Sequence, residues 1–95
     1  MSLDGKYALI TGSSRGIGRG IALKLAASHV KVAVHYYQNE PAAKSTLEEI
    51  RKLGSDGFLV QGDVSRPEEI EAIFNSIKTQ FGKLDIFVSE IQLGS

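Results

Sequence analysis

The chain has no cysteine and no tryptophan, one methionine and only two prolines in 95 residues. Without cysteine, disulfides and thiolate metal sites are excluded, and the redox compartment stays open. Neither sign of charge is in excess: eleven Lys and Arg residues balance eleven Asp and Glu. That balance gives no electrostatic footprint for nucleic acid or an anionic membrane. No apolar run approaches the length of a bilayer span, and the opening "MSLDGKYALI" lacks the basic segment and longer apolar core of a secretory signal. His29, His35 and the carboxylates show no metal-ligand spacing. The expectation left standing is one soluble, cytoplasmic domain, long enough to fold alone without much margin.

What the sequence does contain is an alternation of short apolar runs with helical patterns. "KYALIT" (residues 6–11) is apolar on both faces, as a buried parallel strand should be. In "GIGRGIALKLAAS", Ile17, Ile21 and Leu25 form one helical stripe with Ala22 and Ala26 beside it. "KVAVHY" (residues 31–36) reads as a second strand in which His35 is a hydrogen-bonded sheet residue. Asn39 then stands as an N-cap with Pro41 in the first turn, and Gly54 as the stop, of a helix carrying Ala43, Leu47, Ile50 and Leu53. "GFLVQG" (residues 57–62) is a third strand. The third helix opens with Ser65 and Glu68 at capping-box spacing and Pro67 in its first turn. Its core stripe is Ile70, Ile73, Phe74, Ile77 and Phe81, ended by Gly82. "LDIFVS" (residues 84–89) is the fourth strand.

Helices between consecutive strands force parallel pairing, and right-handed crossovers make an open wound sheet. The predicted fold is α/β, a Rossmann-like open parallel sheet in the order β-α-β-α-β-α-β. Its strand order is 3-2-1-4 with helices on both faces, and residues 1–95 form a single partial domain that stops after strand 4. Ligands of such sheets bind beyond the carboxyl ends of the strands, where the winding reverses between strands 1 and 4. The glycine-rich "TGSSRGIG" leaves strand 1 at that point. Gly12 permits the sharp turn, Gly16 lets phosphates approach the backbone, and Gly18 lets the first helix pack on the sheet. A helix amino terminus supplies the amides and partial positive charge that a pyrophosphate needs.

The spacing G-x-x-x-G-x-G resembles the glycine motif of the short-chain dehydrogenase/reductase family, and two further stretches agree. "GDVS" (residues 62–65) resembles that family's Asp-Val element after strand 3. "FGKLDIFVS" resembles the run leading into its Asn-Asn-Ala-Gly motif. The resemblance covers nearly the whole chain and looks nearest to ketoacyl-carrier-protein reductases. It implies a dinucleotide cofactor held by Gly12, Ser14, Arg15, Gly16, Ile17 and Gly18. Asp63 would contact the adenine, Val64 would pack on it, and Ser89 would lie beside the nicotinamide ribose. It places Tyr36 where NAD-binding members carry an acid, and Arg15 where NADP-binding members carry a basic residue. NADP is therefore expected over NAD. Glu40 is the rival ribose acid, although its place beside Asn39 and Pro41 suits a first-turn helix residue. For Asp63, capping of the turn into the third helix is the alternative to adenine contact.

Departures from the family pattern shape the functional reading. Ser89, Glu90, Ile91 and Gln92 replace Asn-Asn-Ala-Gly, and His29 stands where the family has glycine after the first helix, implying a strained cap. The family's active site uses a serine, then a tyrosine four residues before a lysine. Here Tyr7, Tyr36 and Tyr37 are followed four residues later by Thr11, Glu40 and Pro41, so no catalytic residue is assigned. The expected function is the NADP(H)-binding half of an oxidoreductase, its catalytic half absent. The alternatives are a non-catalytic nucleotide-binding module and a non-functional truncated product. Strand 4, apolar on both faces and lacking one neighbour, is an edge expected to pair two copies of the chain.

Overall fold

The computed structural model describes residues 3–89. They form β1 (Tyr7–Ile10), α1 (Gly16–Ala27), β2 (Lys31–Tyr36), α2 (Glu40–Lys52), β3 (Gly57–Gln61), α3 (Pro67–Phe81) and β4 (Ile86–Val88). The four strands make one sheet in the order β3-β2-β1-β4, and every pair is parallel. The register sets Leu9 beside Ala33 and Phe87, and His35 beside Val60.

Alternation along the strands divides the core in two. Ala8, Ile10, Val32 and Val34 face one way and meet Ala22 and Ala26 of α1 and Ala43, Leu47 and Ile50 of α2. Leu9, Ala33 and Val60 face the other way and meet Ile73 and Ile77 of α3. Both faces of the sheet are therefore covered, which explains strands that read as continuous apolar runs. Among the described residues, no helix is long and apolar enough to cross a membrane.

Three features differ from the sequence reading. In α1 the buried residues are Gly18, Ala22 and Ala26, whereas Ile17 is 68% exposed. The helix lies so close to β1 that only small residues fit beneath it, and the larger Ile21 and Leu25 sit at its flanks, partly buried. In α3, Phe74 is exposed and meets the ring of Phe87 edge-on at 5.6 Å, while partly buried Phe81 packs against Tyr7 and Phe58. The capping box also shifts. Arg66 is the N-cap of α3 and lends no side-chain bond. The Asp63 N–H instead donates to Glu69 Oε1 at 2.8 Å, and Ser65 N–H and Oγ donate to Asp63 Oδ1 at 2.9 and 2.7 Å. Asn39 caps α2 as expected, accepting from the Ala42 N–H.

The ends of α1 and α2 are closed by the same device. After α2, Gly54 N–H donates to Arg51 O and Ser55 N–H to Ile50 O, with Gly54 at φ 90°. After α1, His29 N–H donates to Ala26 O and Val30 N–H to Leu25 O, with His29 at φ 65°. Both are Schellman caps, which need a left-handed residue that glycine supplies without steric cost. The second forces a β-carbon into that region, so the strained cap read from the sequence is present. Replacing His29 with Gly should raise the unfolding free energy by about 0.5–1 kcal/mol, the relieved strain less the added freedom of the unfolded chain. Urea unfolding measures it, and an unchanged or lower stability contradicts this account.

Candidate cofactor site

The carboxyl ends of β1, β2 and β3 are tied together before any helix begins. Gly12, at φ 69°, turns the chain out of β1, and Gly16, at φ 64°, opens α1. A Cβ built on Gly18 would run into the carbonyl oxygen of Gly12, so the first turn of α1 rests directly on the backbone of the loop it leaves. By helix geometry the N–H groups of Gly16, Ile17 and Gly18 have no carbonyl one turn back to receive them. No acidic side chain occupies that first turn. The arrangement offers an anion donors and a favourable dipole.

Side chains of the next strand and helix hold this loop in place. The buried Ser13 Oγ accepts the His35 N–H at 2.8 Å. The His35 ring accepts the Gly12 N–H on Nδ1 at 2.9 Å and meets Gly62 O through Nε2 at 2.8 Å. Ser14 O accepts from the Thr46 hydroxyl at 3.0 Å, and Arg19 Nη1 donates to that hydroxyl at 3.1 Å. Burial lowers the His35 pKa, the Gly62 carbonyl opposing it. The Asp63 carboxyl is held below its usual range by the Ser65 hydroxyl and then the Ser65 N–H.

A cavity of about 480 Å³ opens beside the loop. Its walls are Thr11, Gly12, Ser14 and Arg15 from the turn, His35 and residues 36–39 at and after the end of β2, and Val64 after β3. Among the described residues, Arg15 is the one charged residue on these walls and has no ion-pair partner. Glu40 lies outside the cavity lining, at the start of α2, paired with Lys44 at 3.2 Å. A smaller apolar cavity of about 140 Å³, lined by Leu9, Ile73, Phe74, Phe87 and Ser89 among others, shares Thr11 and Val64 with the first.

Gly12, Ser14, Arg15, Tyr36 and Val64 thus meet around one space, and Ser89 opens on its neighbour. Gly16 and Gly18 shape the turn. Ile17 points outward, and Asp63 spends its carboxylate on the turn into α3. Glu90, Ile91 and Gln92, which depart from the family pattern, lie outside the described residues. Sequence reasoning missed Ser13, Thr46 and Arg19. Their partners lie 22, 32 and 27 positions away, and no local spacing signals such contacts.

The wound parallel sheet and the glycine turn at its switch point define a Rossmann-type α/β protein. The chain belongs to the short chain dehydrogenase family, whose model matches residues 6–90. It is 44% identical over 84 residues to the 3-oxoacyl-(acyl-carrier-protein) reductase FabG of Staphylococcus aureus, an alignment covering 88% of this chain and 34% of that protein. A hydroxysteroid dehydrogenase from Escherichia coli superposes with a TM-score of 0.91 at 35% identity, over 99% of this chain and 40% of that one. The angucycline C-6 ketoreductase LanV, solved with bound NADP, superposes at 0.81 with 40% identity, over 90% and 36% of the two chains. The chain spans about a third of the length of the curated relatives it matches.

The contact of Gly18 with Gly12 has a direct test. Gly18→Ala should destabilise the fold by about 1–3 kcal/mol, because the added methyl must displace backbone rather than a mobile side chain. Gly20, in the same helix, has open space around it. Gly20→Ala should therefore stabilise by about 0.5–1 kcal/mol. Thermal or urea unfolding of the two variants should show opposite signs, and equal effects would refute the packing account.

Proposed function

We propose that this chain is the NADP(H)-binding part of an oxidoreductase that moves hydride between the nicotinamide and a carbonyl or alcohol carbon. One observation carries the choice of cofactor: among the described residues, Arg15 is the only charge on the cavity wall, and no carboxylate residue lines it. An NAD site holds the adenosine ribose hydroxyls on an acid at the end of the second strand. Tyr36 occupies that end and is 8% exposed, packed into the core shared with α1 and α2. A guanidinium facing a 2′-phosphate makes charge-assisted bonds that a ribose hydroxyl cannot match.

Bound there, the cofactor would supply hydride chemistry, and the chain's own residues supply position. Ser14, Gly16, Ile17 and Gly18 would receive the pyrophosphate on and beside the first turn of α1. Arg15 and the loop at residues 37–39 would surround the adenosine end. Val64 offers an apolar surface for the base, 41% exposed on the cavity wall, with Asp63 beside it. Ser89 and the apolar space between α3 and β4 would lie toward the nicotinamide. The NADP recorded in a ketoreductase neighbour supports the same choice, and a cytoplasmic place of action belongs to this reading.

Calorimetric titration with NADP⁺ and NAD⁺ tests the assignment. NADP⁺ should bind more tightly, and Arg15→Ala should weaken it by about ten- to a hundredfold, the range for a lost bond to a charged group, with little effect on NAD⁺. Equal affinities that ignore the substitution would overturn the preference.

We infer a second property from the outer edge of β4. Among the described residues no strand pairs with that edge, and Phe87 on it is 52% exposed beside exposed Phe74. An unprotected apolar edge invites another strand. A second copy related by a two-fold axis would pair with it antiparallel. Light scattering over a concentration series should show a dimer that Phe87→Lys disperses. A wild type that stays monomeric, or a dimer indifferent to the lysine, refutes this.

A further inference from the structure

His35 is 4% exposed, and its ring spans two loops of the cofactor site. The Gly12 N–H can only donate and the Gly62 carbonyl can only accept. With Nδ1 at 2.9 Å from the first and Nε2 at 2.8 Å from the second, both bonds form only on the neutral ring carrying its proton on Nε2. An imidazolium would point a second N–H at the Gly12 N–H. The His35 backbone is tied to the same loop, its N–H donating to Ser13 Oγ, and Gly62 N–H donates back to Tyr36 O.

We propose that His35 is the positioning residue of the glycine turn. In its Nε2–H form it holds the Gly12 peptide in the orientation that lets the turn receive a dinucleotide phosphate, and protonation releases that peptide. The proposal rests on the cofactor reading above, since what is positioned is the phosphate-binding turn. The charged and titratable groups around His35 are few. Arg15 and the hydroxyls of Tyr36 and Tyr37 belong to residues of the same cavity wall. Beyond Gly62, the Asp63 carboxylate is taken by Ser65, and Glu69 accepts the Asp63 N–H. From the facing strands β1 and β3, Leu9 and Val60 bring only apolar side chains to this face.

The sign follows from the lowered folded-state pKa. The unfolded chain binds the His35 proton near pH 6.5 and the folded chain only at lower pH. Stability from the neutral ring is complete above about pH 6.5 and is lost as pH falls toward the folded value. Cofactor affinity should fall at lower pH, through the folded-state titration of His35 itself, because there the turn loses its Gly12 anchor. A direct charge effect would run the other way, with a nearby imidazolium attracting phosphate as pH drops.

NADP⁺ titrations by calorimetry, from about pH 8 downward through the His35 transition as located by its own ring resonances, on the whole chain, should show affinity decreasing on acidification. Two variants that do not titrate separate the two bonds. The Asn oxygen stands near the place of Nδ1, so His35→Asn should keep affinity within about threefold at neutral pH and lose the His35-dependent fall. The Gln amide stands near Nε2, so His35→Gln should weaken binding about tenfold although it spares the Gly62 bond. Tighter binding at acid pH, or Asn and Gln variants that keep the wild-type profile, would overturn the proposal. Failure of the cofactor reading looks different, because no dinucleotide would then bind at any pH. In that case the Gly12 amide resonance of the free protein tests the positioning role by itself. It should shift with the same midpoint as the His35 ring in the wild type and stay still in His35→Asn, and a Gly12 amide that ignores the ring refutes that role.

Discussion

The close seat of α1 on the turn it leaves is the contact from which the remaining geometry follows. Gly18 has no room for a β-carbon over the Gly12 carbonyl, and that proximity fixes how far α1 stands from the sheet. Ala22 and Ala26 continue the same narrow interface. Because the helix begins so near the strand end, its unpaired first-turn amides lie next to the short loop that lines the cavity. Packing and the offering of first-turn amides beside the glycine turn are thus two uses of one short distance, and a larger residue at Gly18 would disturb both.

Much of this architecture is legible in the residues. Continuous apolar runs separated by helical periodicity require a parallel sheet covered on both faces, and the Gly12–Gly16–Gly18 spacing locates the crevice. Asn39 and Gly54 mark the ends of α2 because their roles are local, set by one side chain and one φ angle. The differences are equally physical. Hydrophobic spacing identifies a face of α1 but not its distance from the sheet, so it turns Ile17 inward where only glycine and alanine fit. Phe74 matches the helical stripe of α3, yet it sits over β4 at the rim of the apolar cavity, where exposed Phe87 is its ring partner and nothing among the described residues covers the pair.

The candidate site divides in the same way. Residues that act through their own backbone or charge, such as Gly12, Gly16 and Arg15, can be read from a motif. Residues that act through a distant partner cannot. His35 is visible as a hydrogen-bonded strand residue, but nothing local shows that its two partners are the loops after β1 and β3. Thr46 is a helix-interior threonine by every local criterion, and its hydroxyl nonetheless supports the carbonyl of Ser14. Asp63 illustrates an intermediate case. Its placement after β3 is evident, while the engagement of its carboxylate by Ser65 emerges only from the turn geometry.

The two halves of the core are unequal, and the inequality gives the molecule a mechanical polarity. Among the described residues, the face under α1 and α2 encloses eleven buried hydrophobic residues, against five on the face under α3. Local opening costs least where the fewest apolar contacts must be broken. By that count the contact of α3 with the sheet is the one whose opening costs least, and amide exchange is expected there before it is in β1 and β2. The apolar space between α3 and β4 lies against the smaller core, the cavity beside the glycine turn against the larger. The glycine turn is anchored on the larger of the two cores, and the wall opposite on the smaller.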